Sequence, residues 1–281
     1  MPELPEVEFV RRQLDPVMTH ERIADVEVRR PDLRVRFPRQ FRARLTGQTV
    51  EALTRRGKYL MADLSSSETL LMHLGMSGSF RIEGPGTRGS GLRTRRQHDV
   101  DRHDHVVFHM SSGATITFND PRRFGLMDLL TTTALARHPV LSRLGPEPLS
   151  PQFDASALAR ACKGRKTPLK IALLDQRVVA GLGNIYASEA LHVAVLSPRR
   201  RASTIATPTG QPRETAFRLT SAIKQVLTEA VDRLARTSCR SARFRVYDRE
   251  GQPCLRENCP GTVRRRVQAG RSTFYCPVCQ R

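Results

Sequence analysis

The sequence predicts an α+β protein of several domains: an N-terminal antiparallel β-sandwich preceded by a helix, a helical middle section, and a C-terminal β-hairpin ribbon held by cysteines. Three observations predict it. Between about residue 20 and residue 132, runs of five or six apolar and β-branched residues recur between turn-forming segments, the pattern of short antiparallel strands. After "LGPEPLSP" the apolar residues change to helical spacing,. From Arg245 onward four cysteines come in two pairs among strand and turn residues. At 281 residues the chain has room for two or three domains with real cores,, and the expected divisions are 1–132, 133–236 and 245–281.

Each element has its own reason. Apolar residues at helical spacing predict a first helix over roughly Glu6–Leu14. "TVEALT", "YLMADL", "TLLMHL", "HVVFHM" and "ATITFN" predict strands, separated by "RRGK", "SSSE" and "SSG",. The stretch Glu83–Gln97 is rich in glycine and arginine with no apolar face, which predicts a mobile loop,. Phe153, Leu158 and Ala161 suit one helix, Pro168–Gln176 a second, and "GLGNIYASEALHVA" a third that begins after its glycines. Residues 197–213 are rich in Pro, Arg and Thr and predict a linker. Ala216, Leu219, Ile223, Val226, Ala230 and Leu234 then predict a long helix from Glu214 to about Arg236,.

Charge narrows the function. There are 47 Lys+Arg against 27 Asp+Glu, a formal net charge of +20, and such a surplus concentrates polyanions at the surface. No stretch of some eighteen apolar residues and no secretory leader is seen. The reading is therefore a cytoplasmic protein that binds nucleic acid and does not enter membranes.

Cys254, Cys259, Cys276 and Cys279 form a C-x4-C and a C-x2-C pair. Four thiolates complete a tetrahedral Zn²⁺ shell with no open position, the signature of one structural zinc. Metal binding would then supply much of the folding free energy of so short a ribbon. Between Arg236 and Arg281 eleven arginines face three acidic residues, a skew that suits contact with phosphate. Arg271 falls on the expected hairpin turn, either as a phosphate grip or as a rim arginine without special role.

The first residues, "MPELPEVE", pose a chemical question. Removal of Met1 leaves a secondary amine at Pro2 beside the carboxyl of Glu3. One reading is a frayed terminus; the other is a nucleophile with its acid/base partner.

Six blocks, in order from one end of the chain to the other, carry a resemblance: "PELPEVE", "RRGKYL", "HLGMSG", "NDPRRFG", "GLGNIYASE" and the cysteine ribbon. Together they resemble the formamidopyrimidine-DNA glycosylase family (Fpg, or MutM). The resemblance implies a sandwich, a helix–two-turn–helix domain and a zinc ribbon, with damaged duplex DNA bound in a basic cleft by a monomer. It implies that Pro2 forms a Schiff base with the sugar C1′, that Glu3 is the acid/base, and that Lys58 and Arg271 grip phosphate and assist β- and δ-elimination. Glu6 matches a further family glutamate, or else caps the helix. Met76, Arg122 and Phe124 match the wedge that fills the space of a flipped base, although in a generic sandwich Met and Phe belong in the core. His103, Arg165 and Asn184 match DNA-contacting positions, Asn184 being alternatively a helix cap.

Two departures stand out. The first cysteine pair is C-x4-C where the family usually has C-x2-C, and "RLARTSCRSARFRVY" stands where a longer Gly-rich loop usually closes over flipped 8-oxoguanine. The expected activity is excision of oxidised purines followed by strand nicking. The rivals are a Nei-type enzyme preferring oxidised pyrimidines, a non-catalytic DNA-binding protein on the same scaffold, and a zinc-ribbon accessory factor.

Overall fold

The computed structural model describes residues 1–85, 101–237 and 244–281. Most of the loop expected over Glu83–Gln97, and the centre of the shortened segment between Arg236 and Tyr247, lie outside the described residues. The chain divides into two compact units, Met1–Ser142 with Leu234–Cys239, and Arg143–Arg233 with Arg240–Arg281.

The first unit opens with α1 (Leu4–Met18). Leu4, Val7, Val10, Leu14 and Met18 are all buried, one apolar stripe at i, i+3 and i+4 spacing. The helix runs a turn past the expected end at Leu14. Pro16 lies in its last turn, where the loss of one backbone hydrogen bond is offset by the burial of Met18,.

Eight strands follow: β1 (Ile23–Val28), β2 (Val50–Arg56), β3 (Tyr59–Leu64), β4 (Glu68–His73), β5 (Ser79–Glu83), β6 (Asp104–Met110), β7 (Thr115–Asn119) and β8 (Leu126–Thr131). They form two four-stranded sheets, in the orders β1-β6-β7-β5 and β2-β3-β4-β8, and every pairing is antiparallel. In β3 the alternation is complete, with Leu60, Ala62 and Leu64 inward. Val26, Val106, Phe108 and Phe118 of one sheet share a core with Leu53, Leu60, Leu70 and Met127 of the other, which is the predicted sandwich. Two short helices flank it, α2 (Phe41–Leu45) and α3 (Thr132–Ala136). β1, β5 and β8 were not separately expected. β5 and β8 each follow directly on a glycine-containing turn, which masks the start of the alternation, and in β1 the polar Asp25 and Glu27 leave only Ile23 and Val26 buried.

The second unit contains α4 (Ala155–Cys162), α5 (Leu169–Leu174), α6 (Asn184–Val193) and α7 (Glu214–Thr237) as far as Arg233. Their apolar faces, with Leu158, Leu173, Leu191 and Ile223, make a second core. The hairpin of β9 (Arg264–Gln268) and β10 (Arg271–Tyr275) ends the chain's regular structure. Among the described residues no helix is long and apolar enough to cross a membrane.

The linker expected at 197–213 is instead part of this core. Residues Ala202–Ile205 form a short 3₁₀ turn, and Ala202, Ile205 and Ala206 are buried. The Ala202 and Ser203 N–H groups donate to the carbonyls of Thr167 and Arg165. Composition concealed three apolar residues at i, i+3 and i+4. Ile205→Ala should therefore cost about 2–4 kcal/mol, read by urea unfolding; a loss under about 0.5 kcal/mol would mean that the segment is a surface connector after all.

Candidate functional site

In the first unit the candidate residues gather on three pieces of local structure. Glu3 is the N-cap of α1, and its backbone N–H donates to Glu6 Oε2 at 2.9 Å, so Glu6 does act as a cap. Pro5 falls in the first turn, where a missing N–H loses nothing,. The Glu3 side chain is buried, with the residue only 2% exposed, and Pro2 precedes it. A terminus held in this way is not frayed.

Lys58 lies on the two-residue turn between β2 and β3 and is also buried, at 7% exposure; it is not the solvated turn lysine that was the alternative. Arg55 braces this turn by donating to the Gly57 carbonyl at 2.9 Å, and it also bonds Glu8 Oε2 at 3.1 Å. Burial works to raise the Glu8 carboxyl, but hydrogen bonds from Arg11, Arg12 and Arg55 win and hold it below the usual carboxylate range. Arg11 in turn bonds the Leu53 carbonyl. The start of α1 and the Lys58 turn are thereby tied through one ionic chain.

His73, which sequence reasoning passed over within "HLGMSG", pairs with Tyr59 across β3 and β4, their rings 4.7 Å apart. Its Nδ1 accepts the Gly75 N–H at 3.0 Å, so the ring proton of the neutral form sits on Nε2. Burial pushes this imidazole down to about 4, and the Lys58 and Arg34 charges push the same way.

Met76 and Phe124 are large apolar residues, 42% and 43% exposed. They stand on turns, as the alternative to a core position required, and the Arg122 guanidinium lies 4.8 Å over the Phe124 ring,. His103 sits on the loop before β6, accepting from Arg102 at Nε2 and giving its carbonyl to the Asp120 N–H.

In the second unit Asn184 begins α6, but the N-cap is Gly183. The asparagine is therefore not the cap. Its Oδ1 accepts from Lys170 Nζ at 2.7 Å, and its Nδ2 donates to the Ser272 carbonyl at 3.0 Å. Lys170 is fully buried and also donates to the Ser272 carbonyl and Thr273 Oγ1. It was missed in the sequence, where the signal was a lone lysine inside "LKIALL". Arg271 is exposed at the start of β10, after the turn Ala269–Gly270 and opposite Gln268, while the exposed Arg264, Arg265 and Arg266 of β9 pair further along the hairpin with Tyr275, Phe274 and Thr273. Arg165 is partly exposed and is already paired with Asp175 at 3.0 Å. Hydrogen bonds from Arg177 and Arg165 hold the Asp175 carboxyl far below its ordinary range, so Arg165 offers an outside anion only part of its charge.

The four ribbon cysteines come together, with all Sγ atoms within 4.8 Å of one another. Cys254 and Cys279 are 3.9 Å apart, and Cys259 and Cys276 are 3.6 Å apart. Tetrahedral Zn–S bonds of about 2.3 Å require edges of about 3.8 Å, so the donor set and spacing fit zinc. Gly261 makes room for it: a Cβ there would lie 2.5 Å from Cys276 Sγ.

The His73 imidazole gives a direct check. In the folded protein it should titrate near 4 by NMR, against about 6.5 unfolded,. As pH falls the unfolded chain binds this proton first, so stability should decline between about 6.5 and about 4 and be unaffected by this group above that window,. A folded-state midpoint near 6.5 would contradict the buried, accepting ring.

Comparison with known proteins bears on these residues as a set. Residues 1–127 match the family model "Formamidopyrimidine-DNA glycosylase N-terminal domain", and residues 144–241 match "Formamidopyrimidine-DNA glycosylase H2TH domain". Curated formamidopyrimidine-DNA glycosylases of Bradyrhizobium sp. (strain BTAi1) and Azorhizobium caulinodans are 57% and 56% identical, each alignment covering 100% of both chains. Among solved structures, Lactococcus lactis Fpg bound non-covalently to DNA containing an AP site aligns with a TM-score of 0.83 at 29% identity, over 99% of each chain. MutM (Fpg) from Thermus thermophilus aligns with a TM-score of 0.80 at 37% identity, over 99% of this chain and 98% of that one. The chain belongs to the formamidopyrimidine-DNA glycosylase family.

Proposed function

We propose that this protein is a bifunctional DNA glycosylase and AP lyase that excises oxidised purines from duplex DNA. The observation that carries the reading is the buried carboxyl of Glu3 at the N-cap of α1, directly after a proline that can offer a secondary amine, with a buried lysine on a braced turn of the same unit. Once Met1 is removed, Pro2 presents a free amine at the positive end of the α1 dipole, which disfavours an ammonium and keeps the lone pair available.

The amine attacks the sugar C1′ as the glycosidic bond breaks, and Glu3 supplies the proton that the leaving base or opening sugar requires. Cleavage of the bond from C1′ to the ring oxygen opens the sugar and leaves an iminium, which acidifies C2′. Removal of the C2′ proton expels the 3′ phosphate, and a second elimination expels the 5′ phosphate. Hydrolysis of the iminium then returns Pro2. Lys58 and the neutral, Nε2-protonated His73 supply donors for phosphate on this unit, and Arg271 and the N-terminal turn of α6 supply them on the other.

Met76, Arg122 and Phe124 fill the space of the extruded nucleotide, Arg122 facing the orphaned partner base. His103 and Arg165 add backbone contacts. In this scheme residues 1–132 hold the base chemistry, while 133–236 and 245–281 grip the strand. Cys254, Cys259, Cys276 and Cys279 would hold one Zn²⁺, which would supply rigidity and folding free energy to the ribbon,.

Borohydride trapping tests the reading. Duplexes carrying 8-oxoguanine opposite cytosine, or an abasic site, should both give a covalent complex that disappears when Pro2 is blocked. Trapping on thymine glycol in preference to 8-oxoguanine would move the protein to the Nei type, and no trapping on any duplex with Met1 shown to be removed would leave a binder. A separate measurement concerns the ribbon: metal analysis should find one zinc per chain, lost in Cys276→Ser together with a lower midpoint of thermal unfolding.

A further inference from the structure

The two turns that carry Met76 and Arg122/Phe124 are far apart in sequence, and each is short. Something must keep them in register. At Gly75 a Cβ would fall 2.4 Å from the backbone carbon of Phe124, and Gly75 itself has a φ of +61°, so the turns meet backbone to backbone. Sterics alone do not bond them together.

The bond is made by Asp120, a fully buried carboxylate just beyond β7. Its Oδ1 accepts from Ser77 Oγ, in the Met76 turn, at 2.5 Å. Its Oδ2 accepts the Gly125 N–H, on the far side of Phe124, at 2.8 Å. Oδ1 also receives the Arg122 N–H at 3.3 Å, and Ser77 Oγ receives the same N–H at 3.2 Å. The backbone of Asp120 extends the node: its N–H donates to the His103 carbonyl, and its carbonyl accepts from the Arg123 N–H and from His105 Nε2. Arg123 is held at a φ of +56°, an uncommon conformation for a residue with a Cβ,. Every exposed group that this unit offers as a wedge is therefore bonded, directly or through one residue, to a single carboxylate.

A buried charge is a poor way to gain stability, because desolvation offsets most of the attraction. It is an effective way to hold several backbone donors at fixed positions, since a carboxylate accepts from more directions than any neutral group. We propose that Asp120 is a positioning residue that locks Met76, Arg122 and Phe124 into one rigid wedge, needed to extrude a stacked base and dispensable for elimination at a site that has no base. The inference rests on the function proposed above.

The test separates the two steps. In Asp120→Asn the amide oxygen keeps the Gly125 N–H only if the NH2 takes the place of Oδ1, where it reverses the Ser77 bond and meets the Arg122 N–H donor to donor; the opposite orientation sets the NH2 against the Gly125 N–H,. Single-turnover release of 8-oxoguanine opposite cytosine, at saturating enzyme, should fall at least ~10-fold. Strand cleavage of a pre-formed abasic duplex should stay within about two-fold, since a base-free sugar needs little unstacking. The fluorescence rise of a 2-aminopurine placed beside the lesion should slow in step with base release.

Ser77→Ala removes only the hydroxyl that joins the turns and keeps the Gly125 bond. It should show the same split at smaller amplitude, and it decides the matter if Asp120→Asn does not fold. Equal losses on lesion and abasic duplex in both variants would make Asp120 merely structural and overturn the proposal. Unchanged base release with unchanged 2-aminopurine kinetics would also overturn it. A wild-type protein inert on both duplexes would instead remove the function proposed above, and this inference with it.

Discussion

The second unit depends on one buried ammonium. Lys170 has no solvent contact, and its Nζ donates to Asn184 Oδ1, the Ser272 carbonyl and Thr273 Oγ1. Those acceptors sit on two elements, the first turn of α6 and the β10 strand that begins with Arg271. An ammonium has three protons to donate, and these acceptors draw it toward two elements at once. If any acceptor moved, a buried charge would be left short of a partner, a penalty of several kcal/mol. The spacing between the start of α6 and the start of β10 is thus set by the geometry of a single nitrogen.

The rest of α6 is fastened in the same manner. The Glu189 carboxylate accepts the backbone N–H groups of Arg245, Val246 and Tyr247, which fixes where the chain re-enters the ribbon. His192 Nε2 lies 3.2 Å from Cys254 Sγ. The first unit uses the same device: Glu8 and Arg55 hold the Lys58 turn, and Asp120 holds the wedge turns. In each case a buried or half-buried ionic group fixes a short turn or the first residues of an element, which have too few contacts of their own to be rigid. Apolar side chains would fill the same space at less cost but would not define direction. The pattern lets Met76 and Phe124 stay exposed while Asp120, which holds their turns, is buried.

That division also explains what was legible in the sequence. Strict alternation in "YLMADL" and the helical spacing of Ala216, Leu219, Ile223, Val226 and Ala230 mark elements whose one face is buried. Candidate residues were legible too, because Met76, Phe124 and Asn184 sit in blocks whose order carries the family resemblance. Their supports were not. Lys170, Asp120 and Glu189 each look like ordinary polar residues until the fold brings in partners as far as 103 positions away, and nothing local announces that the Glu189 carboxylate will meet three backbone N–H groups. Residues 197–213 were misjudged for the complementary reason. A high content of Pro, Arg and Thr masked Ile205, whose burial depends on neighbours from distant segments. Local pattern reveals which face is buried, and long-range satisfaction of polar groups stays hidden.

The long cysteine spacer shows how a departure from the family pattern gains meaning only in three dimensions. Read as sequence, the two additional residues in "CLRENC" are an insertion that a metal site must tolerate. In the fold the spacer carries Arg256 to the end of α6, where one guanidinium nitrogen donates to the carbonyls of His192 and Val193 at 3.0 and 3.1 Å. The His192 carbonyl already accepts the Val195 N–H and gains a second donor, and the dipole makes that end of the helix negative,. A cation bonded there is favoured by that dipole. Asn258, at a φ of +58°, turns the chain back so that Cys259 still reaches Cys276. The longer loop therefore completes the cysteine cluster and clamps the C-terminal end of the helix whose first residue is Asn184. With Lys170 at one end and Arg256 at the other, α6 is held between the hairpin and the cysteine loop by cations at both termini. The cation at the N-terminal end opposes the helix dipole, so its place there is sustained by its three acceptors, whereas Arg256 is favoured by the dipole itself,. The two ends of one helix are thus secured by the same charge for opposite electrostatic reasons.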